Sequence, residues 1–298
     1  MGNDVALIVL NYNNAVETAA FVESVSQYRN IDAVQIVDNA STDESYSDLF
    51  AAVQEIDSCK ISLVKAPLNG GYGRGNNYAV SQLKLHFIPE YLLVANPDIQ
   101  ISESAISAMV HFLDDHCEYA AVAPVMLNIH EEVCQSAWKL PSIGDMWLNA
   151  LRLAIGVIRD PLDYGGYETH SSYKDADVLP GSLFMIRLSD FEQVDGFDED
   201  TFLYGEENLL FAKLNFARRK AALLLNYNYV HAHGSSINKE ISSVRKRYLM
   251  LLDSNLIYCK KILHMSETAI FFYRHFFMAC LSIFSAGYMA SNLIKPRS

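Results

Sequence analysis

Short, continuous runs of apolar residues recur in the first hundred positions of the chain, each bounded by residues that favour turns. They lie at 5–10, 33–37, 61–64 and 91–95. Runs of this kind are typical of strands that are buried on both faces of a mainly parallel sheet. Positions 15–28 and 43–56 have helical patterns, and each begins near good N-cap residues. The alternation predicts an α/β fold with a mainly parallel open sheet flanked by helices.

After residue 100 the pattern predicts a mixture of elements. Strands are predicted at 120–125, 179–186 and 222–225, and helices at 188–194, 202–219 and from about 242. Residues 139–177 contain several prolines and glycines and are predicted to form a long irregular or mixed insertion, a type of segment that often contacts ligands. We therefore expect a globular domain at 1–238 and a helical C-terminal segment at 239–298.

Charge separates the same two parts of the chain. The 298 residues have a net charge of -12, but the segment from Lys239 to the end contains nine cations and three acids. A strongly acidic body argues against general nucleic-acid binding, because phosphate neutralisation needs clustered cations. The basic tail either meets anionic lipid or is an ordinary solvated face on packed helices, and the pattern does not separate these alternatives.

Residues 276–294 of the tail form an uncharged window of 19 positions, the lower limit for a membrane-spanning helix. Serines, a glycine and an asparagine dilute its hydrophobicity, which favours a helix in the membrane interface or docked on the core. The five cysteines show no CxxC pair and no zinc-ligand spacing, and no signal peptide precedes the first strand. These features predict a cytoplasmic protein, either free or peripheral on the inner face of the cell membrane.

Polar residues gather where the four N-terminal strands are predicted to end. The strands run in turn into 11–14 (NYNN), 38–43 (DNASTD), 69–77 (NGGYGRGNN) and 96–98 (NPD). The carboxyl ends of parallel strands lie side by side on one rim of the sheet, where ligands bind in such folds. One polar strand end is usually a helix cap, but four together predict a binding site.

The glycine-rich segment at 69–77 does not match a dinucleotide fingerprint. Asn76 stands where the third glycine is required, and the segment follows the third strand rather than the first. The sequence also contains no P-loop and no GxSxG elbow. Backbone amides of this turn and the guanidinium of Arg74 can approach phosphate oxygens. A plain loop with left-handed glycines is the alternative, and the motif alone does not decide between them.

Two further groups of residues could bind a cation or move a proton. Asp98, two positions after Asn96, can offer oxygen to a hard divalent cation, although Asn-Pro-Asp is also good turn chemistry. His231 and His233 share one face of an extended segment, and with Asp98 in the same site we favour a metal-ligand role for them.

Glu206 and Glu207 lie at the start of a predicted helix. Adjacent carboxylates there either interact favourably with the helix dipole or, near a bound sugar, accept a proton from a substrate hydroxyl.

Together these segments resemble the family-2 inverting glycosyltransferases of the GT-A fold, especially the bacterial rhamnosyltransferase-like members. The matching segments are LIVLNYNN (7–14), VDNASTD (37–43), NGGYGRGNN (69–77), ANPDI (95–99), PGSLFMIR (180–187), GFDEDTFLYGEEN (196–208) and VHAHGSS (230–236). They occur in the family's order and spacing and cover about residues 5–255. The resemblance implies transfer of a sugar, with inversion, from a nucleotide-diphosphate donor such as a dTDP- or UDP-sugar. It also implies Mg²⁺ or Mn²⁺, and a glycan or lipid-linked acceptor in bacterial surface polysaccharide synthesis.

The resemblance implies roles for individual residues, position by position. Glu207 matches the catalytic base. The donor nucleotide is assigned to Asn11, Tyr12, Asp38, Asn39, Arg74 and Asn96. The metal is assigned to Asp98 and His231, with His233 as the alternate ligand. The acceptor or transferred sugar is assigned to Gly181, Ser182 and Glu206.

Three positions depart from the family pattern. Asn96 replaces an acid found in many members, Glu207 replaces the usual aspartate, and Leu209 replaces a second acid. Two other functions stay open: a nucleotidyltransferase, which would normally show a basic glycine-rich loop at the first strand, and a degenerate sugar-nucleotide binding module without catalysis. For the tail, a helical lid and a homodimer contact are the alternatives to a membrane contact.

Overall fold

The computed structural model describes residues 4–56, 58–155, 162–164, 171–232 and 244–294, with side chains in the last helix described through residue 286. Its strands are β1 (Val5–Asn11), β2 (Ala33–Asp38), β3 (Ile61–Lys65), β4 (Tyr91–Ala95), β5 (Ile99–Ile101), β6 (Tyr119–Leu127), β7 (Tyr173–Ala176), β8 (Leu183–Arg187) and β9 (Lys220–His231). Its helices are α1 (Ala15–Val25), α2 (Ser45–Glu55), α3 (Gly71–Leu83), α4 (Glu103–Asp115), α5 (Ile143–Ala154), α6 (Leu188–Gln193), α7 (Glu206–Phe216), α8 (Val244–Lys261) and α9 (Glu267–Ile294).

One nine-stranded sheet runs through the described part of the chain in the order β3-β2-β1-β4-β8-β6-β9-β5, and β7 pairs with β9. The N-terminal strands β3, β2, β1 and β4 are parallel to one another, as the sequence predicts. The other half is mixed, because β8 enters antiparallel to both β4 and β6. The α/β fold is therefore confirmed, and its parallel character is strongest in the half that ends at the predicted polar rim.

Strand β1 shows why its sequence is a continuous apolar run. Val5, Leu7 and Val9 belong to a core cluster on one face of the sheet, whereas Ala6 and Ile8 belong to a second cluster on the other face. Successive side chains of a strand point to opposite faces, so a strand covered on both faces needs apolar residues at every position. The first cluster includes side chains of α1 and α4, and the second includes side chains of α3, α6 and α7.

Several predicted boundaries were wrong. The glycine-rich segment is not a plain loop, since it forms the first turns of α3 from Gly71 onwards. The helix predicted at 202–219 begins only at Glu206, and the strand predicted at 222–225 extends from Lys220 to His231. The apolar pattern also did not predict β5 and α4, although Ser102 caps α4 by accepting a hydrogen bond from the Ala105 N–H at 3.2 Å.

A third apolar cluster joins the C-terminal helices to the rest of the molecule. It combines residues of α5, α7, α8 and α9, among them Leu209, Ala212, Tyr258, Tyr273 and Phe277. The opposite side of α7 packs on the sheet through the second cluster. Helix α7 is therefore covered on both sides, which explains why Leu209 is apolar: it is 1% exposed beneath the C-terminal helices.

The apolar window of the tail lies within α9. By length and composition Glu267–Ala286 resembles a membrane span, with a mean hydropathy of 1.4, and 22% of that window is buried inside the molecule. One such helix is weak evidence for a span, and Tyr273, Phe277 and Leu281 pack in the third cluster. The predicted boundary between body and tail at 238/239 lies outside the described residues.

Candidate active site

The ends of β1 and β2 are joined by a network of side-chain hydrogen bonds around Asp38. Asn11 and Asp38 are register partners, and the Asn11 Nδ2 donates to Asp38 Oδ1 at 3.0 Å. The hydroxyl and backbone N–H of Ser41 also donate to this carboxylate. Thr18 in α1 donates to the Asn11 Oδ1 at 2.9 Å. Both Asn11 and Asp38 are completely buried. Their hydrogen bonds therefore fix the ends of β1 and β2 relative to each other beneath the rim.

Asn39 connects this network to the start of α3. Its Nδ2 donates to Asn69 Oδ1 and to the Gly71 carbonyl, each at 3.1 Å. Its Oδ1 is buried and has no hydrogen-bond partner among the described residues. Because a buried acceptor without a donor is costly, this atom is suited to receive an N–H or O–H from a ligand.

Asp98 and His231 come together although 133 positions separate them in the chain. Strand β5 pairs antiparallel with the end of β9, which places His231 opposite Ile99, directly after Asp98. The His231 Nε2 lies 3.1 Å from Asp98 Oδ1, and the two side chains are 13% and 6% exposed. The structure thus places these two residues side by side, while His233 lies outside the described residues.

The side chains of Asp98 and His231 are suited to supply two of the ligands of a divalent cation. A carboxylate oxygen and an imidazole nitrogen are both ligands for Mn²⁺, and carboxylate oxygen suits Mg²⁺. Within the described ranges no group of three or more His, Cys, Asp and Glu side chains is arranged to hold a metal. Two protein ligands leave coordination positions for other oxygens, such as those of a diphosphate.

Glu207 occupies the N-terminus of α7 and points at the segment before β8. The Gly181 N–H donates to Glu207 Oε1 at 3.2 Å. A Cβ at position 181 would lie 2.4 Å from the same oxygen, so only glycine allows the approach. Ser182, the next residue, accepts a hydrogen bond from the Asn96 N–H at 2.9 Å through its carbonyl. The Gly181–Ser182 segment therefore links the carboxylate of Glu207 to the Asn96–Asp98 turn.

The two adjacent glutamates have different surroundings. Burial, followed by the neighbouring charge of Glu207, raises the pKa of Glu206 to about 8, while its Oε1 is buried without a hydrogen-bond partner in the described structure. Burial also raises the pKa of Glu207, but backbone N–H groups of Glu207 itself, Gly181 and Gly205 oppose that shift. Because hydrogen bonds from N–H groups favour a carboxylate anion, Glu207 ionises first and Glu206 keeps a proton near neutral pH.

Tyr72 lies at the candidate site, although the sequence motifs did not assign it a role. Its hydroxyl donates to the Gly181 carbonyl at 2.6 Å. Burial, followed by the charges of Glu207 and Glu206, raises its pKa well above the usual range, so the hydroxyl stays protonated. The available signal was its position as an aromatic residue among the glycines at 69–77. Tyr229, which exchanges a 2.7 Å hydrogen bond with the Ser182 hydroxyl, was also not identified.

The other residues that are predicted to bind the donor nucleotide lie around the same rim. Tyr12 is partly exposed directly after Asn11, and Asn96 is partly exposed at the end of β4. Arg74 lies in the first turn of α3 and forms an ion pair with Glu199 at 3.2 Å, with both side chains 47% exposed. In this structure the Arg74 guanidinium therefore has a carboxylate partner at the surface.

Comparison with known proteins agrees with the architecture of this site. Residues 6–194 match the model of glycosyl transferase family 2. The chain is 27% identical over 220 residues to an N-acetylglucosaminyl-diphospho-decaprenol L-rhamnosyltransferase of Mycobacterium tuberculosis, covering 71% of this chain and 70% of that protein. It is 24% identical over 308 residues to the low-salt glycan biosynthesis hexosyltransferase Agl10 of Haloferax volcanii, covering 99% and 86%.

Among solved structures, the fold is similar to that of the mannosyltransferase PcManGT from Pyrobaculum calidifontis in complex with GDP-Man and Mn²⁺. The TM-score is 0.58 at 15% identity, covering 98% of this chain and 75% of that one. This similarity confirms the expected GT-A fold. The family match covers the donor half of the rim and ends before α7, so Glu207 and His231 lie beyond it. On the family match the chain belongs to glycosyl transferase family 2 and is a glycosyltransferase, similar to rhamnosyl- and hexosyltransferases.

Proposed function

We propose that this enzyme transfers a sugar from a dTDP- or UDP-sugar to a hydroxyl group of a glycan or lipid-linked acceptor, with inversion, in bacterial surface polysaccharide synthesis. The name of the Mycobacterium tuberculosis relative supports a lipid-linked acceptor, since that protein acts on a decaprenol diphosphate. Nucleotide sugars are cytosolic metabolites, which supports a cytoplasmic location. We also propose the division into a catalytic domain at 1–238 and a C-terminal segment at 239–298.

The observation that carries the proposal is the position of Glu207. Its carboxylate lies at the N-terminus of α7, receives the Gly181 N–H, and is connected through Ser182 to the turn that bears Asp98. A general base must lie within hydrogen-bond reach of the acceptor hydroxyl and be ionised at the working pH. Glu207 takes the proton as the acceptor oxygen attacks the anomeric carbon opposite the diphosphate, and this single displacement inverts the configuration.

The donor end of the rim binds the nucleotide in this proposal. Asn39 offers its unpartnered Oδ1 to the base or ribose, and Tyr12 packs beside it. Asp38 and Asn11 hold the loop ends in register from below, because their polar atoms already bond to each other and to neighbours. Asn96 lies next to the diphosphate, and Arg74 reaches it by leaving Glu199.

Asp98 and His231 would hold Mg²⁺ or Mn²⁺, with His233 as a further candidate. When bound, such a cation supplies Lewis-acid stabilisation of the negative charge on the leaving diphosphate. The close approach of the Asp98 carboxylate and the His231 imidazole supports this assignment, as does their low exposure. We place the transferred sugar and the acceptor near Gly181, Ser182 and Glu206, because the Gly181–Ser182 segment links Glu207 to the Asn96–Asp98 turn.

The experiment that tests the proposal is thermal unfolding of the purified chain with nucleoside diphosphates and nucleotide sugars, with and without Mn²⁺. A ligand that binds only the folded state at a hundred times its dissociation constant stabilises it by about 2.7 kcal/mol. We expect a metal-dependent rise in melting temperature with one nucleotide class. Asp98→Asn should remove the metal dependence, and Asp115→Asn on the exposed end of α4 should keep it.

Analysis of the reaction products distinguishes the proposed sugar transfer from the two alternative functions. Transfer of the sugar with release of nucleoside diphosphate supports the proposal, whereas release of pyrophosphate identifies a nucleotidyltransferase. Nucleotide binding without any transfer identifies a non-catalytic binding module. No thermal response to any nucleotide rejects the donor site as assigned.

A further inference from the structure

Residues 197–205 lie in the connection between α6 and α7 and end directly before the two glutamates of α7. The last two residues of this segment, which we call the 197–205 loop, are left-handed: φ is +73° at Tyr204 and +81° at Gly205. A non-glycine residue keeps such a conformation only where surrounding contacts hold it. The Gly205 N–H is one of the groups that donate to the Glu207 carboxylate. The path of the loop therefore sets the position of Glu207 and of one of its hydrogen bonds.

Helix α3 holds the beginning and the middle of this loop. The Asn77 side chain pairs with the backbone of Phe197: its Nδ2 donates to the Phe197 carbonyl and its Oδ1 accepts the Phe197 N–H, each at 3.0 Å. The Tyr72 N–H donates to the Phe202 carbonyl, also at 3.0 Å. These bonds tie the loop to the helix that follows β3, on the side of the proposed nucleotide site.

Helix α8 of the C-terminal segment contacts the end of the same loop. The Ser254 hydroxyl donates to the Leu203 carbonyl at 3.3 Å, and Ser254 is 4% exposed. A Cβ at position 205 would lie 3.5 Å from the Ser254 Cβ, so α8 packs directly on the N-cap residue of α7. Because Leu203 precedes the left-handed Tyr204, this hydrogen bond fixes the chain just before it turns into α7.

A second residue of α8 holds the first part of the loop. The Lys261 Nζ donates to both carboxylate oxygens of Asp198, at 2.9 and 2.7 Å, and lies 2.6 Å from Asp200 Oδ2. The Asp198 side chain is 11% exposed, so solvent screens this ion pair only in part. Ser254 and Lys261 are seven positions, or about two turns, apart and therefore share one face of α8. One helix face thus contacts both parts of the loop.

We propose that Ser254 and Lys261 are positioning residues for sugar transfer, because they hold the 197–205 loop in the path that aims Glu207 and the Gly205 N–H. This inference rests on the proposed function, in which Glu207 is the base. It makes α8 a part of the catalytic unit, although the loop and α8 both lie beyond the residues that match the family model. Both residues act through the loop, since a small misplacement of a catalytic group lowers the rate strongly.

The test is steady-state sugar transfer by the full chain and its variants, measured across pH. Ser254→Ala removes one hydroxyl, and we expect kcat to fall about tenfold while KM for the sugar donor stays parental. Weakening the hydrogen bond from Gly205 raises the pKa of Glu207, so the acidic limb of the kcat/KM profile should move to higher pH. Glu206 and Tyr72, which interact with Glu207 through charge, are unchanged in this variant.

Lys261→Met should also lower kcat about tenfold and shift the same limb, whereas Lys261→Arg should restore most of the rate, because a guanidinium can pair with both carboxylates. The matched control is Lys260→Met, which breaks an exposed ion pair with Glu267 one position away on α8. Ser282→Ala is the control for loss of a hydroxyl, since that group donates to the Met278 carbonyl within α9. Both controls should keep the parental kcat and pH profile.

Parental kcat and pH profile in both Ser254→Ala and Lys261→Met overturn the inference. A lower melting temperature without a change in kcat or in the acidic limb overturns it too, since α8 then has only a structural role. An equal loss of kcat in Lys260→Met does the same.

Glu207→Gln in the same assay separates this inference from the proposed function. If Glu207→Gln loses transfer while both α8 variants transfer at the parental rate, only the inference fails. If Glu207→Gln transfers at the parental rate, the proposed base is rejected and the inference fails with it.

Discussion

Two buried carboxylates at the same rim of the sheet are held in opposite ways. Asp38, at the donor end, is completely buried and accepts hydrogen bonds from Asn11 and from both donors of Ser41. Glu206, at the base end, is 2% exposed, and its Oε1 has no hydrogen-bond partner in the described structure. Three hydrogen-bond donors satisfy the carboxylate at the first position, whereas burial raises the pKa of the carboxyl group at the second.

In the proposed mechanism, one rim of the sheet provides both a rigid support and a site for proton transfer. At the donor end, side chains of neighbouring strands and loops satisfy one another, so the loop ends keep their register. Around the proposed base, Glu207 accepts hydrogen bonds from the backbone N–H groups of three residues, whereas Glu206 accepts one from its own backbone N–H, and burial dominates its pKa. An adjacent neutral acid allows Glu207 to be the single negative charge of the pair. The predictions below test this division, beginning with the largest effect.

Glu207→Gln is expected to reduce sugar transfer by about a thousandfold, because the amide cannot accept the acceptor proton and general-base catalysis contributes on that order. Thermal stabilisation by the nucleotide donor should be retained, since the donor end is unchanged. Steady-state transfer rates and thermal shifts measure the two effects. The exposed Glu23→Gln on α1 is the control for loss of a carboxylate. Transfer at the parental rate by Glu207→Gln would remove Glu207 from the base position.

Gly181→Ala is expected to reduce kcat by roughly a hundredfold, because the new Cβ displaces the Glu207 carboxylate and small misplacements of a catalytic group are costly. Gly144→Ala is the matched control, since its Cβ would meet its nearest neighbour at an ordinary 3.7 Å. Parental kcat in Gly181→Ala would mean that the contact between residues 181 and 207 does not position the base.

Asp38→Asn is expected to lower the free energy of unfolding by about 2 kcal/mol. The side-chain NH₂ group of the new asparagine would face the N–H groups of Asn11 and Ser41, which donate hydrogen bonds to the Asp38 carboxylate. Urea unfolding measures the change. The exposed Asp48→Asn on α2 should stay within about 0.5 kcal/mol of the parent. An equally small effect at position 38 would show that the network does not support the donor end.

Glu206→Gln tests the charge state of the second carboxylate through the pH dependence of stability. The pKa of Glu206 is raised from 4.5 to about 8 in the folded chain, so the folded state holds a proton that the unfolded chain has released. Stability therefore falls as pH rises between these values, and the glutamine variant lacks this loss. We expect the melting temperature of Glu206→Gln, relative to the parent, to increase from pH 5 to pH 8. A constant difference across this range would mean that Glu206 is not a buried acid.

Local pattern was sufficient to predict the N-terminal half of the fold. The apolar runs of β1, β2, β3 and β4 were predictable because each strand is covered on both faces, and their polar ends fell on one rim because the strands are parallel. The resemblance of short segments to a known family predicted the roles of Glu207, Asp98 and His231, and the structure places Asp98 beside His231. Boundaries were less accurate where tertiary contacts override local preference, as at Gly71, where φ is +86° and a Cβ would meet the Phe202 carbonyl at 2.1 Å.

The sequence by itself therefore determined the parallel strands of the N-terminal half, the rim on which their polar ends meet and the reaction class. Only the tertiary structure decided that the Glu206 Oε1 is buried without a hydrogen-bond partner in the described structure while Glu207 faces Gly181. It also decided that His231 lies beside Asp98 and that Leu209 is covered by the C-terminal helices. Local patterns record which faces of an element are apolar, but which distant element covers a face depends on chain packing across more than a hundred residues.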